Sequence, residues 1–252
     1  MTTARDLEVK VFADGADRAG LLALAANPLI KGFTTNPTLM HAAGLRDYEG
    51  FARDALECVG DRPISFEVFC DDFDDMERQA LKMAAWGDNV YVKIPVTNCA
   101  GASSAPLVRR LAGLEVKLNV TAVMTHPQVA EMAECLAGGP PSIISVFAGR
   151  IADTGRDPVP HMVQALALLA PSSNIELLWA SPREILNVVQ ADQIGCHIIT
   201  VTNDILAKLS LVGKNLDTYS LETVEMFRKD AVAAGFTIKG TDASPERRRA
   251  TA

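Results

Sequence analysis

The sequence predicts a (β/α)8 barrel of the TIM type in a single domain, with an extra C-terminal helix, and three observations carry that reading. Eight short runs of β-type residues alternate with longer helical stretches, the order expected of a parallel sheet wrapped by helices. The chain has 252 residues, a length that one such barrel routinely occupies. No glycine-rich dinucleotide or phosphate-loop signature follows any run, and Gly138-Gly139-Pro140-Pro141 precedes a strand instead. This disfavours the doubly wound sheet that the same alternation permits, and it removes a nucleotide cofactor.

The first predicted strand, residues 8–13, holds Val9-Lys10-Val11-Phe12, and a helix follows over 18–26. Strand two, 32–35, runs into Thr34-Thr35-Asn36-Pro37, whose last residues are turn chemistry, and the next helical pattern spans 48–59. Strand three, 64–68, precedes Asp71-Asp72-Phe73-Asp74-Asp75. That run reads as the solvated entrance of a helix over 73–86, because the glycine and terminal glutamate of a calcium loop are missing. Strand four, 90–94, leads to a helix over 105–112, and strand five, 116–123, leads to Thr125-His126-Pro127, a cap residue and a proline opening a helix over 127–137. Strand six, 142–147, and a helix over 160–169 come next. Strand seven, 175–179, is followed by Ser181-Pro182, read as the start of a helix over 182–190. Strand eight, 197–201, and helices over 204–211 and 221–234 complete the series. The barrel is expected over 1–240, and 241–252, with three consecutive arginines and no apolar anchor, as a disordered tail.

Hydrophobic residues at 48% and charged ones at 22% describe an ordinary globule. A formal charge of −7 argues against a general polyanion-binding surface, so no nucleic-acid partner is expected, while a local basic site for one phosphate stays compatible with that sum. No apolar stretch approaches the roughly 20 residues of a membrane span, and residues 1–8 carry no secretory pattern. The five cysteines lack CxxC spacing and suit reduced thiols, so a cytoplasmic enzyme is the expectation. His41, His126, His161 and His197 form no ligand-spaced pair, and no metal site is expected.

Chemistry in such a barrel gathers at the carboxyl ends of the strands. Lys93, in Tyr91-Val92-Lys93-Ile94-Pro95, ends an apolar strand in a cation that is costly to desolvate. Burial favours the neutral amine of a lysine, the form that attacks a carbonyl carbon to give a Schiff base, so Lys93 is the candidate nucleophile. Asp14 ends strand one, Thr34, Thr35 and Asn36 end strand two, and Glu67 ends strand three. Asn119 and Thr121 end strand five, Ser145 and Phe147 strand six, and Ser181 follows strand seven. Schiff-base chemistry needs a base for the substrate hydroxyl, which suits Asp14, and a held water, which suits Glu67 with Thr121. Asn36 and Ser145 are candidate ligands for sugar hydroxyls. Arg150 and Arg183, just past strands six and seven, match an anion such as phosphate, with Arg183 expected in the first turn of a helix.

Each residue also has a plain structural reading. Lys10 and Lys117 likewise interrupt apolar strands, but toward strand starts, where a long stem reaches solvent. Asp14 could cap the first helix, although Asp17 is the better cap; Glu67 could pair with a cation, Arg150 could form an inter-loop salt bridge, and Cys70 reads as a loop thiol. The convergence of Asp14, Glu67 and Thr121 on one amine favours chemistry.

Thr34-Thr35-Asn36-Pro37, Val92-Lys93-Ile94-Pro95, Asn119-Val120-Thr121 and Val146-Phe147-Ala148-Gly149-Arg150-Ile151 resemble the transaldolase family in order and spacing, from Ala13-Asp14 through Ala180-Ser181-Pro182-Arg183. The resemblance implies a Schiff base on Lys93, acid/base work by Asp14, and a water held by Glu67 and Thr121. It further implies hydroxyl contacts from Asn36 and Ser145, and an anion held by Arg150, Ser181 and Arg183. Thr35, Asn119 and Phe147 complete the expected substrate-binding set. It implies transfer of a dihydroxyacetone unit between sugar phosphates without metal or organic cofactor. The assembly does not follow from the resemblance; a homo-oligomer is expected because the extra terminal helix over 221–234 can pack against a neighbour. The similar fructose-6-phosphate aldolases carry Gln in place of Glu67 and Tyr in place of Phe147, which inclines the reading to a transferase. Pro182 departs from the family's usual bulky apolar residue, so a sulfonate or another anionic sugar stays open. A lyase releasing the free ketone and a barrel that binds a sugar phosphate without chemistry are the alternatives.

Overall fold

The structure, a computed structural model, describes residues 7–15, 18–42 and 44–238. The first six residues, Asp17 and the expected tail over 241–252 lie outside the described residues. Eight strands, β1 (Lys10–Asp14), β2 (Ile30–Thr34), β3 (Ile64–Glu67), β4 (Val90–Pro95), β5 (Leu118–Val123), β6 (Ser142–Val146), β7 (Ile175–Trp179) and β8 (Ile198–Val201), pair in parallel and close in sequence order. Helices α1 (Arg18–Ala25), α2 (Pro37–Ala42), α3 (Tyr48–Val59), α4 (Phe73–Ala84), α5 (Ala105–Gly113), α6 (His126–Leu136), α7 (Ala148–Asp153), α8 (Pro158–Leu169), α9 (Leu186–Gln193) and α10 (Asn203–Leu206) connect them, and a 3₁₀ turn, Leu209–Leu211, follows. The barrel unit extends to Val212. A second unit begins at Gly213 and holds α11 (Leu216–Ala233), whose N-terminus is capped by the Asn215 side chain accepting from Thr218 N.

Helix entrances follow their cap chemistry. Asp72 accepts from the backbone N–H groups of Asp74 and Asp75, so the acidic run opens α4. Thr125 and Gln128 form a reciprocal capping box at α6. Three departures from the sequence-based reading have local causes. The six-residue helices α2 and α7 are too short to show a helical period, although Pro37 marks the first turn of one. The stretch 182–185 is not helical: the Asn187 side chain accepts from Arg183 N (2.8 Å) and Glu184 N (3.2 Å), fixing a loop and delaying α9 to Leu186. Arg183 therefore precedes α9 instead of lying in its first turn. Finally, the Asn215 cap starts α11 five residues ahead of the expected 221, and the stretch 204–211 divides into α10 and the 3₁₀ turn.

Two hydrophobic layers hold the barrel. One fills the space between sheet and helices, with Phe33, Phe66, Val92, Leu118, Leu177 and Trp179 buried beneath helical residues such as Leu21, Met76 and Leu111. The other plugs the interior and contains Phe12, Ile143, Leu178, Ala180 and Ile198. Phe12 pairs in register with Gly32, and a Cβ on Gly32 would stand 2.4 Å from the Phe12 ring, so the glycine makes room for the plug. At strand starts, Lys10 pairs with Glu176 (2.7 Å) and Lys117 donates to the Asp88 carbonyl (2.6 Å), each at the barrel's bottom.

Because strand side chains alternate, the residue two beyond Phe12 is Asp14, which stands on the same inward face. The apolar plug thus floors a polar mouth. Replacing Phe12 by Ala empties the plug and is expected to cost about 3–5 kcal/mol in a denaturant titration; a loss under about 1 kcal/mol would show that the interior layer collapses without it.

Candidate active site

Register places the reactive set. Glu67 pairs with Lys93 and Lys93 with Asn119, so three inward side chains lie side by side on β3, β4 and β5. Lys93 is 7% exposed, and its Nζ lies 2.9 Å from Glu67 Oε2 and donates to the Thr35 carbonyl at 2.9 Å. Beside it, Ser145 Oγ donates to Asn119 Oδ1 (2.6 Å), and Asn119 Nδ2 donates to Ser65 Oγ (3.0 Å), a buried polar belt that engages both ends of the Asn119 amide.

Asp14 accepts from Asn36 Nδ2 (2.9 Å) and Thr34 Oγ1 (3.1 Å), and Thr34 Oγ1 in turn meets Thr200 Oγ1 at 2.5 Å. One edge of Asp14 opens on the cavity and protein encloses the rest. Burial pushes its carboxyl above the ordinary value of 3.8, against the opposing pull of Lys93 and the two hydrogen bonds. Thr121 Oγ1 is buried and finds no hydrogen-bond partner among the described residues. The residue after it, Ala122, takes a left-handed backbone (φ 60°) where the β5–β6 register shifts. The bulge carries Thr121 to the rim of the barrel's mouth.

The wall that carries the two arginines is built by a close approach. A Cβ on Gly149 would lie 1.5 Å from the Ser181 carbonyl oxygen, so only glycine lets α7 meet the loop after β7. Ser181 itself is left-handed (φ 60°), a strained conformation for a serine. This contact sets Arg150 and Arg183 on the same wall. Arg150 lies over the Phe147 ring at 5.7 Å. Arg183 donates through Nε to Asp153 (2.9 Å) and through Nη1 to the Ser181 hydroxyl (2.9 Å) and carbonyl (3.1 Å), while its Nη2 pairs with the other Asp153 oxygen. Those bonds engage four of the five N–H groups of the guanidinium.

These groups surround a cavity of about 540 Å³ at the carboxyl ends of the strands. Asp14, Asn36, Glu67, Lys93, Thr121, Ser145, Phe147, Arg150, Ser181 and Arg183 all line it. Thr35 and Asn119 do not: both are fully buried, Thr35 offering its carbonyl to Lys93 and Asn119 held between Ser145 and Ser65.

Residues 11–239 match the family model described as transaldolase/fructose-6-phosphate aldolase. The chain belongs to this family. A "Probable transaldolase" of Thermoanaerobacter sp. (strain X514) is 31% identical over 91% of this chain and 100% of its own length. Another "Probable transaldolase", from Streptococcus agalactiae serotype III (strain NEM316), is 32% identical over 88% of this chain and its entire length. A solved structure described as a phosphonomutase, from Burkholderia cenocepacia J2315, superposes with a TM-score of 0.54 at 11% identity, covering 88% of this chain and 94% of that one, which shows the shared barrel alone.

Within this transaldolase/aldolase barrel, three groups escaped the sequence-based reading. Thr200, on β8, bridges to the Asp14 network; as a threonine inside an apolar strand it gives no signal of its own. Asp153 holds Arg183 across a gap of thirty residues that no local pattern encodes. Tyr48 hydrogen-bonds the backbone of Glu67 from the start of α3.

Two consequences are measurable. The folded-state pKa of Asp14 lies above its unfolded value, so both states are protonated at low pH and the unfolded chain loses its proton first as pH rises; ionisation of Asp14 therefore erodes stability upward from 3.8. Asp14→Asn is expected to melt above wild type at neutral pH, with the difference shrinking toward about pH 4, and a gap independent of pH would refute this account. Gly149→Ala forces backbone against backbone and is expected to lose about 1–3 kcal/mol in chemical denaturation; wild-type stability would show that the Ser181 loop yields freely.

Proposed function

We propose that this barrel transfers a dihydroxyacetone unit from a ketose phosphate to an aldose phosphate through a Schiff base on Lys93. The observation that carries the reading is the buried Lys93 amine, gripped by Glu67 and the Thr35 carbonyl, at the floor of a cavity that also receives Asp14. The Lys93 nitrogen attacks the ketose carbonyl carbon, and the carbinolamine expels that oxygen as water, giving an iminium. Glu67 and the Thr121 hydroxyl are placed to hold the water that exchanges protons in this step, and the unpartnered Thr121 Oγ1 suits that task.

The iminium then draws the electron pair of the adjacent carbon–carbon bond as Asp14 takes the proton of the hydroxyl on the departing carbon. A carboxyl raised by burial is better matched to proton exchange near neutrality than an ordinary aspartate. The aldose leaves, an enamine remains on Lys93, and an acceptor aldehyde reverses the steps with Asp14 returning its proton. Asn36 and Ser145 supply hydroxyl contacts, and Arg150, Ser181 and Arg183 the anion site. The chemistry calls for no metal or organic cofactor.

Glu67 and Phe147 favour transfer over release, since they stand where the similar aldolases carry Gln and Tyr. Exchange between phosphorylated ketoses and aldoses suits central sugar metabolism such as the pentose phosphate pathway, and the scattered free cysteines fit a cytoplasmic setting. No helix among the described residues is long and apolar enough to cross a membrane.

Incubation with fructose 6-phosphate and borohydride, followed by peptide mapping, is expected to give a dihydroxyacetone-sized adduct on Lys93, and Lys93→Ala to lose cleavage by about a thousand-fold or more. Undiminished cleavage by Lys93→Ala would overturn the mechanism. Free dihydroxyacetone appearing without acceptor, as fast as transfer, would instead identify a lyase.

A further inference from the structure

We infer that Tyr48 is a positioning residue for the reactive amine, acting through Glu67, the carboxylate that grips Lys93. The inference rests on the Schiff-base reading above. Tyr48 Oη donates to the Glu67 carbonyl (2.9 Å) and accepts from the Glu67 N–H (3.0 Å), so one hydroxyl holds both backbone groups of the residue that pairs with Lys93. On the same side Thr35 donates its hydroxyl to the Ser65 carbonyl (2.9 Å), and its own carbonyl is the second partner of Lys93.

The topology explains why a side chain is needed there. β2 pairs with β3 only through Phe33 with Ile64 and Thr34 with Ser65, and then turns off toward α2. Beyond Ser65 the edge of β3 faces no strand on that side, and buried backbone groups left unpaired are costly. The Tyr48 hydroxyl takes the place of the missing rung at Glu67. Its ring is fixed by an edge contact with the buried Phe66 (6.4 Å) and a tilted contact with Trp86 (6.2 Å), while the exposed Phe69 lies on its outer edge (5.4 Å). The Asp47 cap on Gly50 N fixes the turn that carries it. Burial pushes the phenol above its usual range, so it remains a donor at every working pH.

Tyr48→Phe removes the hydroxyl and keeps the ring. It is expected to lower kcat for ketose cleavage about 10- to 100-fold with KM within about twofold, because Glu67 is displaced from the amine and not from the sugar. It is also expected to move the pH midpoint at which Lys93 is acylated, read by peptide mass spectrometry without any sugar present. Phe69→Ala trims the same aromatic cluster without touching the hydroxyl, and is expected to leave both quantities at wild-type values. Wild-type kcat and acylation midpoint in Tyr48→Phe, or an equal loss in Phe69→Ala, would overturn the inference. Should wild type trap no ketose at all, the Schiff-base reading fails, while the acylation midpoints still decide whether Tyr48 governs Lys93. Should Tyr48→Phe not fold, fluorotyrosine labelling of the wild-type chain serves instead. The Tyr48 ¹⁹F signal, assigned among the three tyrosines with Tyr91→Phe and Tyr219→Phe, is expected to shift on acylation of Lys93, and an unmoved signal refutes the coupling.

Discussion

The contact between Lys93 and Glu67 is the constraint around which this barrel is arranged. An ammonium withdrawn from water costs several kcal/mol, which a single carboxylate repays only with good geometry and further hydrogen bonds. Both conditions are met by sheet register: Glu67 and Lys93 are directly paired on neighbouring strands, and the Thr35 carbonyl supplies a second acceptor. A slip of one residue in β4 would turn Lys93 outward into the apolar layer beneath the helices, so the fold and the nucleophile are specified together.

The neighbouring groups extend the same economy. Asp14 is held by two neutral donors, Thr34 and Asn36, so that burial dominates and its carboxyl rises, whereas an arginine in that place would have pulled it down. The arginines stand instead past β6 and β7, where the glycine contact of α7 with the Ser181 loop gathers them. One cavity is thus lined both by a carboxyl that burial raises and by two arginines.

Most of this was legible because periodicity and position report on the same thing. An apolar run that ends in Asp14, Glu67, Lys93 or Thr121 announces a strand whose last residue faces the barrel's mouth, so one reading gave strand and candidate together. Signals carried across space were silent. Asn187 reaches back to two backbone N–H groups and moves the start of α9 past Arg183, a local capture that competes with the helix that Ser181-Pro182 suggested. Thr35 and Asn119, expected in the substrate-binding set, are both fully buried: Thr35 follows the inward Thr34, so alternation turns its side chain from the cavity onto the Ser65 carbonyl, and Asn119, level with Lys93, is engaged by Ser145 and Ser65.

The same distinction bears on the anion. Sequence spacing places two arginines near the mouth, but Asp153 and the Ser181 backbone already occupy most of the Arg183 guanidinium, and the carboxyl of Asp153 is held below its ordinary range by that arginine. Arg183 therefore works first as a strut that fixes the left-handed Ser181 and aims its hydroxyl, with one N–H left for a ligand. Arg150 lies over the Phe147 ring, and Asp153 does not engage it as it does Arg183, so the proposed anion site rests chiefly on Arg150. Phe147 is the N-cap of α7 and Arg150 lies within it, so the Gly149 contact that seats α7 on the Ser181 loop places both. Pro182 fits that arrangement: it follows a residue whose backbone is already committed, and it sits in a loop whose next N–H groups are spoken for by Asn187.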